Sequence, residues 1–327
     1  TAVVGAWLAD TAVGLAAGAV YVFERSGTTW TERAKLTASD GAPSDHFGSS
    51  LALSGDTLLV GAYSADLAGG LVDAGAVYVF VRTPAGWSEQ AKLIASDAAN
   101  GKQVGASVAL SGDTAVINGH MYRHGDTFPG PVYVFVRSGT SWSEQAKLKP
   151  SHVTSDFGAA VAIEGDTVLV GAPKLSVNTL FPQNEAGHAY VFERVGTNWI
   201  VHPRLIAGDP AVSGHFGYAV AISGSRLLVG SRDSVPGSAY LFEREGHAWT
   251  QRAKLLARNG VAGERFGCAV ALVDDTAVVG ADGDDRGSRA DAGAAYVFCV
   301  NSASIGEFHG AGINADVLGA AVATAGE

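Results

Sequence analysis

Phe47-Gly48-Ser49-Ser50-Leu51-Ala52-Leu53-Ser54-Gly55-Asp56-Thr57-Leu58-Leu59-Val60-Gly61-Ala62 decides the fold. A small/apolar alternation, a Ser-Gly-Asp-Thr turn and an aliphatic run read as two short antiparallel strands joined by a tight hairpin. Val77 to Val81 and Trp87 to Leu93 supply a third and a fourth, β-branched or aromatic and bounded by Gly, Ser and Asp. The start of this unit returns at Val104, Phe157, Phe216, Phe266 and Leu318, with spacings of 57, 53, 59, 50 and 52 residues. Val104 and Leu318 replace the phenylalanine, but each keeps the glycine that follows.

Repeats of about fifty residues with four strands each predict radial sheets, the propeller solution that leaves only short protected edges. The spacing from Leu318 through the C-terminus and on from Thr1 to Phe47 is 56, one further repeat. The expectation is therefore an all-β, six-bladed β-propeller of four-stranded antiparallel blades in a single domain over residues 1–327. Its blades are 318–327 plus 1–46, 47–103, 104–156, 157–215, 216–265 and 266–317, and a C-terminal strand pairs with the N-terminal blade to close the ring. Small residues such as those of Phe157 to Ile163 suit the crowded inner strand, and Tyr78, Phe80 and Trp87 suit the wider space further out. No segment keeps a 3.6-residue period, so helix is not expected.

Composition agrees with one compact body: 47% hydrophobic, 17% charged and 43 glycines. No apolar run is long enough to span a membrane and no leader precedes the first repeat, although a chain that starts inside a blade could have lost one. A net charge of −10 with interspersed signs argues against nucleic acid, which asks for a basic stripe. Cys268 and Cys299 fall on the first and third strands of one repeat, separated by the second, and read as two buried free thiols.

Phe-Gly at strand one and Gly171-Ala172-Pro173 at the end of strand two, echoed by Gly61-Ala62 and Gly280-Ala281, resemble the FG-GAP repeats of integrin α-subunit propellers and of bacterial surface and secreted proteins. The Tyr-Val-Phe and Ala-Lys-Leu elements look most like the bacterial branch. The resemblance implies a β-propeller that recognises partners outside the cell. Integrin-type repeats often carry a calcium loop between strands one and two. Here that connection is only a turn, as in Ser111-Gly112-Asp113-Thr114 and Glu164-Gly165-Asp166-Thr167. One carboxylate per turn makes no calcium cage, so no metal carries over, and these acids read as turn formers bonding nearby backbone.

Turn length divides the two ends of the strands. The one-to-two and three-to-four turns are short and alike. The two-to-three loops vary in length and content, and function favours variable loops on a rigid scaffold. The ligand-binding candidates are accordingly Trp7, Asp10, Tyr63, Asp66, Asp73, His120, Tyr122, His124, Asp126, Arg232, Asp233, Asp282, Asp284, Asp285, Arg286 and Asp291. The Asp282 to Asp291 loop is where calcium, if any, would sit, although its spacing fits no standard pattern. The two histidines of the His120 to Asp126 cluster lack the further ligands zinc needs. The four-to-one loops add Asp40, Asp45, His46, Asp97, Asp209, His215, Glu264 and Arg265, with His46 and His215 equivalent before Phe-Gly; a shared packing role is the expectation for them.

No nucleophile elbow, zinc helix or phosphate loop appears. The expected function is a non-catalytic binding or assembly module for a glycan or protein partner, extracellular, periplasmic or at the cell surface. A carbohydrate-active enzyme, glycoside hydrolase or polysaccharide lyase, is the first alternative, since paired carboxylates cannot be found by spacing alone. A structural subunit is the second, with residues 301–316, which lack the Trp and Ala-Lys-Leu, as a docking edge.

Overall fold

The computed structural model describes residues 1–119, 130–150, 156–174, 186–258, 260–285, 292–301, 306–310 and 312–313. No helix occurs among them; the chain is all-β, and its six sheets are the antiparallel blades of a β-propeller. The sheets fall three to each of two compact units, Thr1–Lys149 and Pro150–Gly326.

In the N-terminal unit the first sheet has three strands, Ala2–Ala6, Ala19–Ser26 and Thr29–Leu36. The second runs Ser50–Ser54, Thr57–Ala62, Ala76–Thr83 and Gly86–Leu93, in sequence order across the sheet. Val104–Ser111, Thr114–Gly119, Val132–Ser138 and Ser141–Leu148 make the third. The C-terminal unit holds the fourth sheet, Ala160–Glu164, Thr167–Ala172, His188–Val195 and Asn198–Val201. It also holds the fifth, Phe216–Ser223, Arg226–Ser231, Ser238–Glu245 and Ala248–Ala257. The sixth is Phe266–Val273, Thr276–Ala281, Ala294–Cys299 and the short Gly312–Ile313.

Two features depart from uniform four-stranded blades. Gly306–Gly310 adds a parallel fifth strand to the fifth sheet, alongside residues 253–257, so part of the 301–316 segment covers an edge within its own unit. The first sheet lacks an innermost strand among the described residues, and the 318–327 segment assigned to it lies outside them.

The glycines of the two halves of the motif meet each other. A Cβ on Gly61, at the end of a second strand, would lie 2.1 Å from the carbonyl oxygen of Gly105 in the next sheet. The same near-contact joins Gly5 to Gly48 at 2.0 Å, Gly171 to Gly217 at 1.9 Å and Gly230 to Gly267 at 2.2 Å. Gly105 and Gly48 also take φ of +97° and +93°, a region closed to most L residues. Phe-Gly and Gly-Ala are thus two sides of one backbone contact between adjacent sheets.

The phenylalanine beside that glycine is the anchor. Phe216 is 1% exposed and meets Tyr240 and Phe242 edge to face, with ring centroids 5.5 and 6.0 Å apart. Phe47, Phe157 and Phe266 repeat the arrangement with Tyr78 and Phe80, Tyr190 and Phe192, and Tyr296 and Phe298. Perpendicular rings place positive edges on negative faces, adding to the area they bury. Tyr78 and Phe80, two of the large aromatics expected beyond the small first strand, lie on the third strand of their sheet and build this box.

Polar latches tie successive sheets. The Tyr78 hydroxyl donates to Asp40 at 2.7 Å, and Lys92, from the Ala-Lys-Leu element, reaches the other Asp40 oxygen at 2.8 Å. Asp97 holds Tyr133, Lys147 and Lys102 in the same way, and Asp209 holds Tyr240 and Lys254. Burial would raise the Asp97 carboxyl, but the hydrogen bonds from Lys102, Lys147 and Tyr133 outweigh it and hold it well below the usual range. Glu89 and Glu144 each cap a serine, Ser39 and Ser96, of the preceding loop. Asp40, Asp97 and Asp209 thus each join a four-to-one connection to the sheet that follows it.

The fourth sheet breaks the pattern. His188 stands where the other sheets have Ala76, Ser238 and Ala294; it is fully buried, and neither ring nitrogen has a partner among the described residues. Burial, and then Arg204, push its pKa down to about 4, so the folded chain keeps it neutral. The unfolded chain binds this proton near 6.5 and the folded one only near 4, so stability is full above 6.5 and declines as pH falls between those values. Thermal unfolding followed from pH 7 to 5 should show a drop in midpoint that His188→Ala flattens. An unchanged slope in the variant would show that His188 is not its source.

Candidate functional site

The two ends of the strands differ in kind. At the end carrying the one-to-two and three-to-four turns, one arrangement recurs. Arg82, Arg137 and Arg194 each pair with a turn aspartate, Asp56, Asp113 and Asp166. Each also lies over a tryptophan, Trp87, Trp142 and Trp199, at 5.3 to 5.4 Å from the ring centroid. These turn acids were expected to bond backbone; instead the hairpin aims them at the guanidinium on the third strand, a stronger charged partner. In the fifth sheet Ser225 replaces the turn aspartate, and the equivalent Arg244 lies over Trp249 at 5.9 Å and pairs with Glu193 of the fourth sheet.

At the opposite end, the residue before Phe-Gly, or before Val-Gly, is left-handed in every copy described: His46 at φ 59°, Gln103 at 51°, Asp156 at 58°, His215 at 53° and Arg265 at 54°. Glycine would sit there without strain, whereas a non-glycine residue costs of order 1 kcal/mol. All five positions nonetheless carry a side chain, and four face a residue just past the second strand of the same sheet.

Those pairs are all different. His46 stacks on Tyr63 at 5.0 Å and 15°, with Trp7 edge-on at 5.2 Å. Asp156 pairs with Lys174 at 3.0 Å. His215 Nδ1 lies 2.6 Å from Asp233, and Arg232 bonds Asp233 at 3.1 Å, donates to the Tyr218 hydroxyl at 2.8 Å and covers its ring at 4.2 Å. Arg265 faces Asp282 at 3.7 Å. The N-terminal unit thus presents an aromatic arc and the C-terminal unit a charged one.

Electrostatics follow burial and neighbours. Burial lowers the His46 pKa against the pull of Asp73 and Asp45, which favours neutral imidazole. Asp45, 4% exposed, is raised by burial although it accepts the Ala42 N–H. Burial opposes the charge on Arg232, but Tyr218 and the carboxylates of Asp233 and Asp282 outweigh it and raise its pKa. Cys268 is buried and its thiol pushed up to about 11, first by burial and then by Asp282. Cys299 is exposed at the end of its strand rather than buried as expected; both cysteines are free.

The structure divides the sequence candidates. Trp7, Tyr63, Asp73, Arg232, Asp233 and Asp282 belong to or border the two arcs. Asp10 and Asp66 are loop caps, accepting the N–H of Ala16 and of Asp73 at 2.9 and 2.8 Å. Asp284 turns inward, 3% exposed, to accept the Tyr296 hydroxyl, so it serves the core; this latch takes it away from the cation site suggested for its loop. Asp285 stays exposed. His120, Tyr122, His124, Asp126, Arg286 and Asp291 lie outside the described residues. No group of three or more His, Cys, Asp or Glu converges as metal ligands among the described residues.

Sequence reading missed Tyr218, Asp156 and Lys174. A column comparison would have found Tyr218, because its position is Ser49, Ala106, Ala159 and Cys268 in the other copies. A cavity of about 350 Å³ lies beside the first sheet, lined by Thr11, Val13, Ala17, Lys35 and Gly41, and gathers no comparable chemistry.

Six meandering sheets with a uniform tip at one end and sheet-specific pairs at the other define a repeat propeller built to hold a partner or take part in an assembly. The family model described as FG-GAP repeat matches residues 30–80, 87–135, 142–192, 199–242 and 249–298, and the chain belongs to that family. Each match runs from an outer strand through the first three strands of the next sheet. No curated protein matches the chain.

Proposed function

We propose that the protein is a non-catalytic binding module, extracellular, periplasmic or surface-exposed, that takes a glycan or protein partner on the end bearing the two-to-three and four-to-one connections. One observation carries this reading: a strained left-handed position is kept in five copies, yet its side-chain pair changes from sheet to sheet, while the other end repeats Asp-Arg-Trp. Uniform chemistry serves packing; position-specific chemistry on a fixed scaffold serves recognition.

The experiment is a glycan array and a panel of extracellular proteins probed with the native chain, with Trp7→Ala plus His215→Ala, and with Thr28→Lys plus Thr140→Lys. Ligands found should lose at least about tenfold in affinity with the first pair and be unaffected by the second, which alters exposed turns at the uniform end. Loss confined to the second pair would refute the assignment of ends.

The arrangement of His215, Asp233, Arg232 and Tyr218 favours a second reading as a carbohydrate-active enzyme, since an imidazole oriented by a carboxylate can move a proton. Release of oligosaccharide products, abolished by Asp233→Asn, would establish it and overturn the non-catalytic reading.

A further inference from the structure

We propose that the Trp7, His46 and Tyr63 cluster of the N-terminal unit is a binding site for neutral pyranose sugars, with the Trp7 indole as the stacking face and the Asp73 carboxylate as hydroxyl acceptor. The proposal rests on the binding-module reading and names its ligand class.

Trp7 follows Gly5-Ala6, at the same exit from a second strand as Tyr63 after Gly61-Ala62, and 40% of it remains exposed. An indole left this open is apolar surface in water, and the carbon-bound hydrogens of a pyranose face complement it. The ring is held from the side by His46, itself stacked on Tyr63 and fixed by a left-handed backbone, so little side-chain freedom remains to be lost on binding.

Asp73 supplies the directional part. Its N–H is taken by Asp66 at 2.8 Å and its carbonyl by the Gln103 N–H at 3.0 Å, which fixes the residue, while its carboxylate accepts no hydrogen bond from the described residues. A carboxylate is acceptor-only, and vicinal sugar hydroxyls are donors. The His46 Nδ1 is likewise without a partner among the described residues.

Charge selects the class of sugar. Asp10, Asp45, Asp66 and Asp73 occupy this part of the unit, none ion-paired among the described residues, and burial favours the neutral form of His46. The field disfavours uronates and sulfated sugars. A single open ring beside a closed His-Tyr stack is a platform, whereas enclosing a cation needs rings on several sides.

The test is saturation-transfer NMR and calorimetry with cellobiose, lactose, maltotriose and chitobiose, and with digalacturonate as the acidic comparator. At least one neutral sugar should bind, more tightly than the acidic one. Trp7→Ala should weaken it by at least about tenfold, Trp7→Phe by less, and Asp73→Asn by a few-fold, with Trp30→Ala unchanged. Binding that survives Trp7→Ala but is lost in Tyr218→Ala would overturn this site and leave the binding-module reading intact. Failure of every neutral sugar, or binding only of lysine- or arginine-bearing peptides at Trp7, would overturn the proposed ligand class.

Discussion

Gly61→Ala should destabilise the protein by about 3 kcal/mol or more, a large effect for a single methyl group. The added carbon would sit 2.1 Å from the Gly105 oxygen and 2.2 Å from the Ser50 hydroxyl, and the nearer obstacle is main chain that cannot rotate aside. Relief requires the two sheets to separate, which would cost contacts made by Val77, Leu59 and Val104, all fully buried in one cluster. Gly55→Ala is the companion. Its φ is +55°, but nothing lies within 4 Å of the new carbon, so only backbone strain of about 1 kcal/mol is expected. Chemical denaturation of both variants measures the difference; equal losses would show that close approach of the backbones is not what the second-strand glycine provides.

Phe216→Ala should cost about 4 kcal/mol, from lost burial plus the cavity left behind. The ring is 1% exposed, and its neighbours Tyr240 and Phe242 belong to one strand, paired on both sides, that cannot collapse into the gap without breaking its ladders. Phe216→Leu should recover more than half of the loss, because it refills volume but not the edge-to-face geometry. Val104, the natural replacement in the third sheet, is also fully buried, so a smaller residue at this place is tolerated only where its sheet has been packed around it. A cost below about 1 kcal/mol for Phe216→Ala would mean that the aromatic box is ornamental.

Much of this architecture was readable from the chain because it rests on local rules repeated several times. Strand and turn positions at Ser54-Gly55-Asp56-Thr57 follow from alternation and a glycine-bearing turn, and repetition averages away the errors of any one copy. What the linear text hid is contact between copies. Nothing near Gly61 announces Gly105, and nothing near Lys92 announces Asp40, because each partner lies in a different repeat. An outer-strand bulge opposite Val79 and Phe80, which recurs at Val134 and Phe135, was equally invisible, since an extra residue leaves no mark on composition.

The site was legible only in outline. Loop variability singled out the end whose side-chain pairs differ from sheet to sheet, with Trp7, Tyr63 and Arg232 among them, but carboxylates drew attention whether they capped loops, as Asp10 and Asp66 do, or served the core, as Asp284 does. An aspartate looks the same in sequence in all three uses. His46 and His215 were seen to be equivalent, yet the property they share is a backbone angle, which permits stacking on Tyr63 in one case and a hydrogen bond with Asp233 in the other.

The phase of the latches sets how such a chain can be cut and respliced. Because Tyr78 and Lys92 reach back to Asp40, and Tyr133 and Lys147 to Asp97, a whole sheet lifted out at its hydrogen-bonded borders would leave two orphaned ends. A segment that begins in the connection just ahead of Asp40 and ends after the outer strand at Leu93 carries its fastenings with it, whereas a cut at the exposed tip Thr83 to Gly86 would part Lys92 from Asp40. Lineages that gain or lose a copy are therefore expected to do so in the four-to-one connections, ahead of the latching aspartate.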